Sequence, residues 1–364
     1  MRVLKKILLV VLALVLLLAV LRWALFHGPR QSRQELADAF IVDLHCHVAG
    51  LGAGGSGCHV SRKLRHSYKF DIYLSAFGVT REEVEEKGDQ VVVERLAQRV
   101  RASRFVKRAV VLALDGCVDA DGELDLENTE IHVPNEFVLE HVARHDELLF
   151  GASIHPLRRD ALERLSWAAA NDARLIKWIP SIQGIDPSDE RIVPFYRKMA
   201  ELGIPLLSHA GDERSFTSAR NELADPMRLR LPLSLGVTVI AAHIASTGRS
   251  EGADNSDRLF ALMEENSNLY TEISSLTQVN KLGFLDRALR ETRFHDRMLY
   301  GSDYPLINTL LVSGAYFPLH LSLREITSVR SLDNCLDQDV ELKRLLGVPR
   351  CVFEKTAQLL RVKP

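Results

Sequence analysis

Residues 39–47 read Ala-Phe-Ile-Val-Asp-Leu-His-Cys-His, an apolar run that ends in two imidazoles, His45 and His47. On a β-strand residues two apart share a face, so the two rings lie together and Cys46 faces the other way. Seven further short apolar runs follow, at 109–115, 148–155, 174–178, 204–209, 237–243, 268–273 and 297–303. Between them lie segments of helical period, at 79–104, 134–145, 161–171, 191–202, 257–266 and 282–290. Strands alternating with helices in this way mark parallel βα units rather than a sandwich. Eight units fit either a doubly wound sheet or a closed barrel. The 258 residues from His45 to Asp303 match the roughly 250 of a typical barrel, and we therefore expect an α/β fold of the (β/α)8 TIM-barrel type.

The ends of these runs carry chemistry. His45 and His47 end the first, Lys177 falls in the fourth, and His209, His243 and Asp303 end the fifth, sixth and eighth. Barrel enzymes place their reactive groups at the C-terminal strand ends, where eight strands converge on one cavity. A single strand-end histidine is as well explained by a hydrogen bond to a loop, but five strands obeying one rule are not. Two imidazoles in one small volume are good ligands for a borderline cation such as Zn²⁺.

The rest of the composition narrows the function class. The chain has 364 residues, 46% hydrophobic and 26% charged, which is globular usage and excludes disorder as the main state. Five cysteines without a Cys-x-x-Cys spacing support neither a disulfide framework nor a zinc ribbon. Residues 1–30 contain five Lys/Arg and no acid, which leaves 41 Lys/Arg against 48 Asp/Glu in the remainder. An acidic body without a basic stripe argues against a nucleic-acid partner. From Ile7 to Phe26 the only charge is Arg22, and about 20 apolar residues suffice to cross a bilayer as a helix. We expect a single-pass membrane anchor over 1–30, with Trp23 near the far interface. No clean small-x-small cleavage site follows it. Three Lys/Arg precede the run and three lie in or after it, so the positive-inside rule favours a cytoplasmic N-terminus and an extracytoplasmic, periplasmic body only weakly. The barrel is expected over 38–312 and a helical extension packed on it over 313–364.

The His-x-His of the first run, Lys177, His209, His243 and Asp303 within Gly-Ser-Asp-Tyr-Pro together resemble the amidohydrolase superfamily, specifically its amidohydrolase-related branch of metal-dependent hydrolases. The stretches Leu-Ile-Lys-Trp-Ile-Pro-Ser at 175–181 and Gly-Ile-Pro-Leu-Leu-Ser-His-Ala-Gly at 203–211 are similar to that branch, and the likeness covers roughly 40–305. The resemblance implies that His45, His47 and Asp303 bind a first divalent ion and that His209 binds it or a second one. In relatives with two ions the fourth-strand lysine, here Lys177, is carboxylated and bridges them, with the fifth- and sixth-strand histidines completing the second site. In relatives with one ion the sixth-strand histidine, here His243, polarises substrate or moves a proton. The branch often has a histidine two places after the lysine, where this chain has Ile179. The role of Lys177 stays open between carbamate, substrate-binding ammonium and structural ion pair.

Zn²⁺ is the expected cofactor, as one or two ions. It lowers the pKa of its water to about 7 and polarises carbonyls. Asp303 would then take the proton of the water and His243 would stabilise the oxyanion, which suits hydrolysis of an amide, lactone or ester of a small molecule. Relatives with the same ligands include decarboxylases and hydratases, so a lyase is the alternative. A membrane-tethered module that binds metal without turnover is the third reading. Asp115, His155 and Glu272 end the second, third and seventh runs, and with Trp178 they are candidate substrate contacts. Gly-Leu-Gly-Ala-Gly-Gly at 50–55 matches Gly-x-Gly-x-x-Gly, but no apolar-periodic helix follows. A mobile loop over the cavity is the better reading of the glycines, with His59, Arg62, Lys63, Arg65 and His66 either available to an acidic substrate or, equally well, part of a solvated basic loop.

Overall fold

The N-terminal run forms one helix, Arg2–Leu25, in a computed structural model that describes residues 2–25 and 33–364. Within it Val3–Trp23 has a mean hydropathy of 2.9 and is long and apolar enough to cross a membrane. Phe26 and Arg30, which end the expected span and anchor, lie outside the described residues.

Eight parallel strands then follow where the eight runs place them: β1 (Ile41–His47), β2 (Val106–Leu112), β3 (Leu148–Gly151), β4 (Ile176–Trp178), β5 (Leu206–Ser208), β6 (Val239–Ala241), β7 (Leu269–Glu272) and β8 (Met298–Leu299). The first three form one hydrogen-bonded sheet and β4 to β8 another, each strand beside its successor. Parallel bridges between Ala152 and Ile176 and between Cys46 and Tyr304 link the two sheets at their two edges. The core is TIM-barrel-like. Most strands are shorter than their sequence runs, because the polar residue at the end of the run already turns into a loop.

Alternation divides the apolar residues into two layers. Val42, Leu44, Val110, Leu112, Leu175, Leu207, Ile240 and Leu299 face one another inside the ring of strands. Their neighbours, such as Ile41, Val111, Ile176 and Val239, pack outward against the helices. The pairing of β1 with β2 slips between Asp43 and Cys46, where one extra residue is inserted in β1. A bulge of this kind puts two consecutive side chains on the same face. Leu44 therefore belongs to the inner apolar layer, and His45 and then His47 rise above it into the site.

The C-terminal region is helical, with Leu323–Arg330, Cys335–Leu345 and Arg350–Leu359. Ser322 and Glu325 start the first of these with a reciprocal capping box. Ala357 and Leu360 enter the inner apolar layer. Buried Lys343 bonds Asp339 at 2.7 Å and the Gly301 carbonyl at 2.9 Å, which ties these helices to the chain leaving β8.

The expected helix over 79–104 is two helices, Arg81–Lys87 and Gln90–Ala102. Gly88 breaks it at φ 91°. The next residue, Asp89, turns its buried carboxylate toward 50–56, accepting hydrogen bonds from the backbone of Leu51 (2.7 Å) and Gly52 (2.9 Å) and from the Ser56 hydroxyl. A Cβ on Gly50 would lie 2.2 Å from that carboxylate. The glycines thus let the loop close on an acid, and residues 50–55 do not line the cavity.

Candidate metal centre

His45, His47 and Asp303 bring one ligand atom each to within 4.8 Å of one another. The Nε2 atoms of His45 and His47 are 3.1 Å apart, and Asp303 Oδ1 is 3.7 Å from the first and 3.4 Å from the second. Two imidazole nitrogens and a carboxylate oxygen converging in this way form the donor set that a divalent ion requires. His243 stacks on His45 with ring centroids 5.1 Å apart, and His209 packs edge-on to His243 at 5.2 Å. His209 Nε2 is buried and has no hydrogen-bond partner. A buried polar atom left unpaired costs about 1–3 kcal/mol, which an ion at this position would offset.

Glu272 organises the cluster from below. Its Oε1 accepts from His45 Nδ1 (3.1 Å), from the backbone N–H of His243 (2.9 Å) and from the Ser274 hydroxyl (2.9 Å). This network assigns the proton of His45 to Nδ1 and leaves the Nε2 lone pair facing His47 and Asp303. His243 Nδ1 lies 3.2 Å from the Ser274 carbonyl, so it too donates, and its Nε2 is left free. His45, His243 and Glu272 form a second group with metal-binding spacing, but the oxygen of Glu272 is already taken by donors. The open cluster is the first one.

Burial dominates the electrostatics. It pushes the imidazoles of His45 and His209 down to about 4, which keeps both neutral and able to ligate. Burial also pushes Lys177 down to about 8; its ammonium lies 3.1 Å from His45 Nε2. For Glu272 burial acts upward, but the neighbouring histidines and hydrogen bonds outweigh it and hold the carboxylate ionised. Four non-glycine residues that line the cavity take left-handed backbone: His243 (φ 57°), Thr247 (φ 74°), Ser275 (φ 60°) and Asp303 (φ 65°). Each costs about 1–3 kcal/mol, a strain that collects at functional sites. Ser275 donates its hydroxyl to Asp303 Oδ2 and is itself held by Gln278 at 2.8 Å.

A cavity of about 140 Å³ lies above the cluster. One wall is apolar, with Val60, Leu64, Phe70, Leu74 and Phe77 from the segment between β1 and β2. The rest of the lining is largely polar and carries both signs of charge, with Asp212, Glu213, Arg214, Gln278 and Lys281. Lys281 is partly buried and its ammonium makes no hydrogen bond or ion pair among the described residues. Asp303, Glu213 and Glu272 attract it and Arg214 repels it.

A family model described as Amidohydrolase matches residues 42–311. The chain belongs to the amidohydrolase family. Among solved structures it is similar to a candidate 2-pyrone-4,6-dicarboxylic acid hydrolase from Pseudomonas putida, at 14% identity and a TM-score of 0.51, covering 91% of this chain and 100% of that one. An uncharacterised TIM-barrel protein from Bordetella bronchiseptica matches at 17% identity and a TM-score of 0.50, covering 84% and 98%. A 5-carboxyvanillate decarboxylase from Sphingomonas paucimobilis matches at 12% identity and 0.48, covering 90% and 100%. Identities this low speak to the fold alone. No curated protein matches. Family and cluster together make the chain a metal-dependent enzyme of the amidohydrolase-superfamily fold.

Within this amidohydrolase fold the structure gathers His45, His47, Lys177, His209, His243 and Asp303 around one cavity. The four expected substrate contacts do not line it. Trp178 follows Lys177 on β4, so it must face outward; it stacks on Phe195 at 5.8 Å and donates to the Ile154 carbonyl at 2.8 Å. Asp115 is paired with Arg158 through two 2.7 Å bonds and also accepts the His155 N–H at 2.8 Å. His155 is buried beside it and accepts from Leu157 N–H at 3.3 Å. Glu272 lies beneath the histidines, as described. His59, Arg62, Lys63, Arg65 and His66 also stay off the cavity wall, which this segment supplies through its apolar residues. Sequence reasoning missed Lys281, Ser275 and Gln278, which lie in a loop without period. Glu213, whose carboxylate is 3.6 Å from His209 Nδ1, was visible as an acid four residues on.

Proposed function

We propose that this membrane-anchored enzyme holds its divalent ion, Zn²⁺ by donor type, with His45, His47, His209 and Asp303, and with Lys177 and His243 beside them. When bound, the ion supplies a Lewis acid for a substrate oxygen. Whether Lys177 joins as a carbamate fixes the choice between one ion and two. The substrate is a small carboxylic acid with an apolar body, and the observation that carries this reading is the unpaired Lys281 ammonium in a cavity with an apolar wall. A partly buried cation gains from a partner at bonding distance, and among the described residues Asp303, Glu213 and Glu272 attract this one without being bonded to it. Lys281 then anchors the anionic group while the Phe70, Leu74 and Phe77 wall holds the body and excludes water.

The reaction we favour is loss of the carboxyl group as CO₂: the bond to the carboxylate breaks, its electron pair stays on the carbon, and that carbon takes up one proton drawn from solvent through the cavity. A base that deprotonates water needs a lone pair turned toward it. Ser275 donates to Asp303 Oδ2, and Oδ1 faces His45 and His47. Burial acts upward on this carboxylate, but the histidines around it outweigh that and hold it well below its usual range, which makes it a weak base. Decarboxylation requires no such base, and desolvation of a carboxylate favours it. Hydrolysis of a lactone or ester is the second reading. It is favoured by His243, whose proton sits on Nδ1, so that Nε2 carries a lone pair into the cavity and can accept a proton from an attacking water.

The test is to offer the metal-loaded full chain a panel of small carboxylic acids and lactones and read the product mass. Loss of CO₂ supports the first reading and gain of water the second. Lys281→Met should raise KM for the anionic substrate by about 10- to 100-fold, from about 1.5–3 kcal/mol for a hydrogen bond to a charged group. An unchanged KM in a folded variant removes Lys281 from substrate binding.

A further inference from the structure

Outside the N-terminal helix, several of the large apolar side chains left exposed belong to one region. Leu310 is 92% exposed, Leu323 84%, Val279 40% and Leu311 36%. They are connected: the backbone N–H of Val279 donates to the Leu311 carbonyl at 2.8 Å, and Tyr316 donates its hydroxyl to the Leu310 carbonyl at 2.6 Å. Tyr316 ends a short turn, Gly314–Tyr316, packed on helix Leu323–Arg330. A single exposed leucine needs no explanation, but a contiguous exposed apolar patch marks a protein- or membrane-contacting site.

The chain itself identifies what lies next to this surface. Arg33 forms an ion pair with Glu325, two residues along the helix that Leu323 begins, and donates to the Leu345 carbonyl at 3.1 Å. Eight residue steps separate Arg33 from Leu25, so the two lie at most about 28 Å apart whatever path the chain takes. Arg2–Leu25 rises about 36 Å as a helix, enough to bring its C-terminal end out of a hydrocarbon core of about 30 Å. The Arg33 contacts therefore keep this C-terminal region within about 28 Å of the end of the span.

We infer that Val279, Leu310, Leu311 and Leu323 form a lipid-contacting patch that seats the catalytic body on the bilayer. This rests on reading Arg2–Leu25 as a membrane span and goes beyond it, because a span alone would let the body stand off in water. The patch adjoins the cavity, since Gln278 and Lys281 flank Val279, and Leu306 lines the cavity four residues before Leu310. A substrate dissolved in the bilayer would reach the cavity without crossing open water.

The experiment uses the full chain in vesicles of phosphatidylcholine and phosphatidylglycerol whose acyl chains carry bromine, a quencher of tryptophan. Trp167 and Trp178 emit in every variant, so each reading is a difference from the Trp23→Phe parent, and the emission lost on that substitution reports Trp23 and with it the span. In a Trp23→Phe background, Leu310→Trp and Leu323→Trp report the patch, and Leu162→Trp, on a helix between β3 and β4 on the far side of the ring, serves as control. Loss of emission at positions 310 and 323 but not 162 is the expected result. Quenching of Trp23 with none at 310 and 323 leaves the span standing and overturns the patch, including the case in which a second copy of the chain covers it. No quenching at Trp23 overturns the span and the patch together. Substitutions at exposed positions leave the fold intact, so each result is readable.

Discussion

Replacing Glu272 by Gln changes one charge and one atom beneath the metal centre, and the structure says what that does. Glu272 Oε1 serves three donors, His45 Nδ1, the His243 N–H and the Ser274 hydroxyl, while Oε2 accepts the backbone N–H of Ser274. The amide keeps those three bonds only by placing its oxygen at Oε1. Its NH₂ then faces the Ser274 N–H, donor against donor. One buried unsatisfied donor costs about 1–3 kcal/mol of stability, against about 5–15 kcal/mol for a whole domain, so the variant folds. Loss of the charge also weakens the hold on the Nδ1 proton of His45 and makes Nε2 a poorer ligand. Changes at such outer partners cost about 10- to 100-fold in metal affinity, or about 1.4–2.7 kcal/mol. The assay is Zn²⁺ competition against a chromogenic chelator on the purified full chain, with urea denaturation of the metal-free form alongside. A folded Glu272→Gln variant that binds Zn²⁺ with unchanged affinity would show that Glu272 does not set the tautomer of His45.

Two further predictions concern stability. Burial pushes His155 down to about 4 in the folded chain, against about 6.5 unfolded. The unfolded state therefore binds the extra proton between these values, and the contribution of His155, roughly 3 kcal/mol, is present above pH 6.5 and lost as pH falls toward 4. His155→Gln should flatten the pH dependence of urea stability across that window, and an unchanged slope would count against it. Lys343→Met leaves Asp339 buried without its partner and should cost about 3–5 kcal/mol by urea denaturation, with much of it recovered when Asp339→Leu is added. Equal losses in the single and double variants would refute this account of the pair.

The strands were legible because their apolar runs end abruptly in charged or ligating residues, and the six residues that gather at the cavity were legible for the same reason. The misplaced residues failed for distinct reasons. The outward position of Trp178 follows from the inward one of Lys177, so parity alone excluded it. Glu272 does end a strand as expected, but whether a strand-end acid meets substrate or supports a ligand depends on what lies above it, here His45, 227 residues away in sequence. Asp115 is claimed by Arg158, 43 residues on, and no local pattern marks such a pair. Lys281 was invisible because a loop without period leaves the direction of its side chains to tertiary contacts.

The extra residue in β1 constrains how this barrel can diverge. Leu44 belongs to an aliphatic floor and His45 to the layer above it, although they are neighbours on one strand. A single deletion between Ile41 and Leu44 would bring an imidazole down into the oil, and a single insertion there would bring a leucine up into the ion's place. Descendants of this chain can lengthen or shorten their loops freely, but in this strand length should drift only by compensated pairs of events.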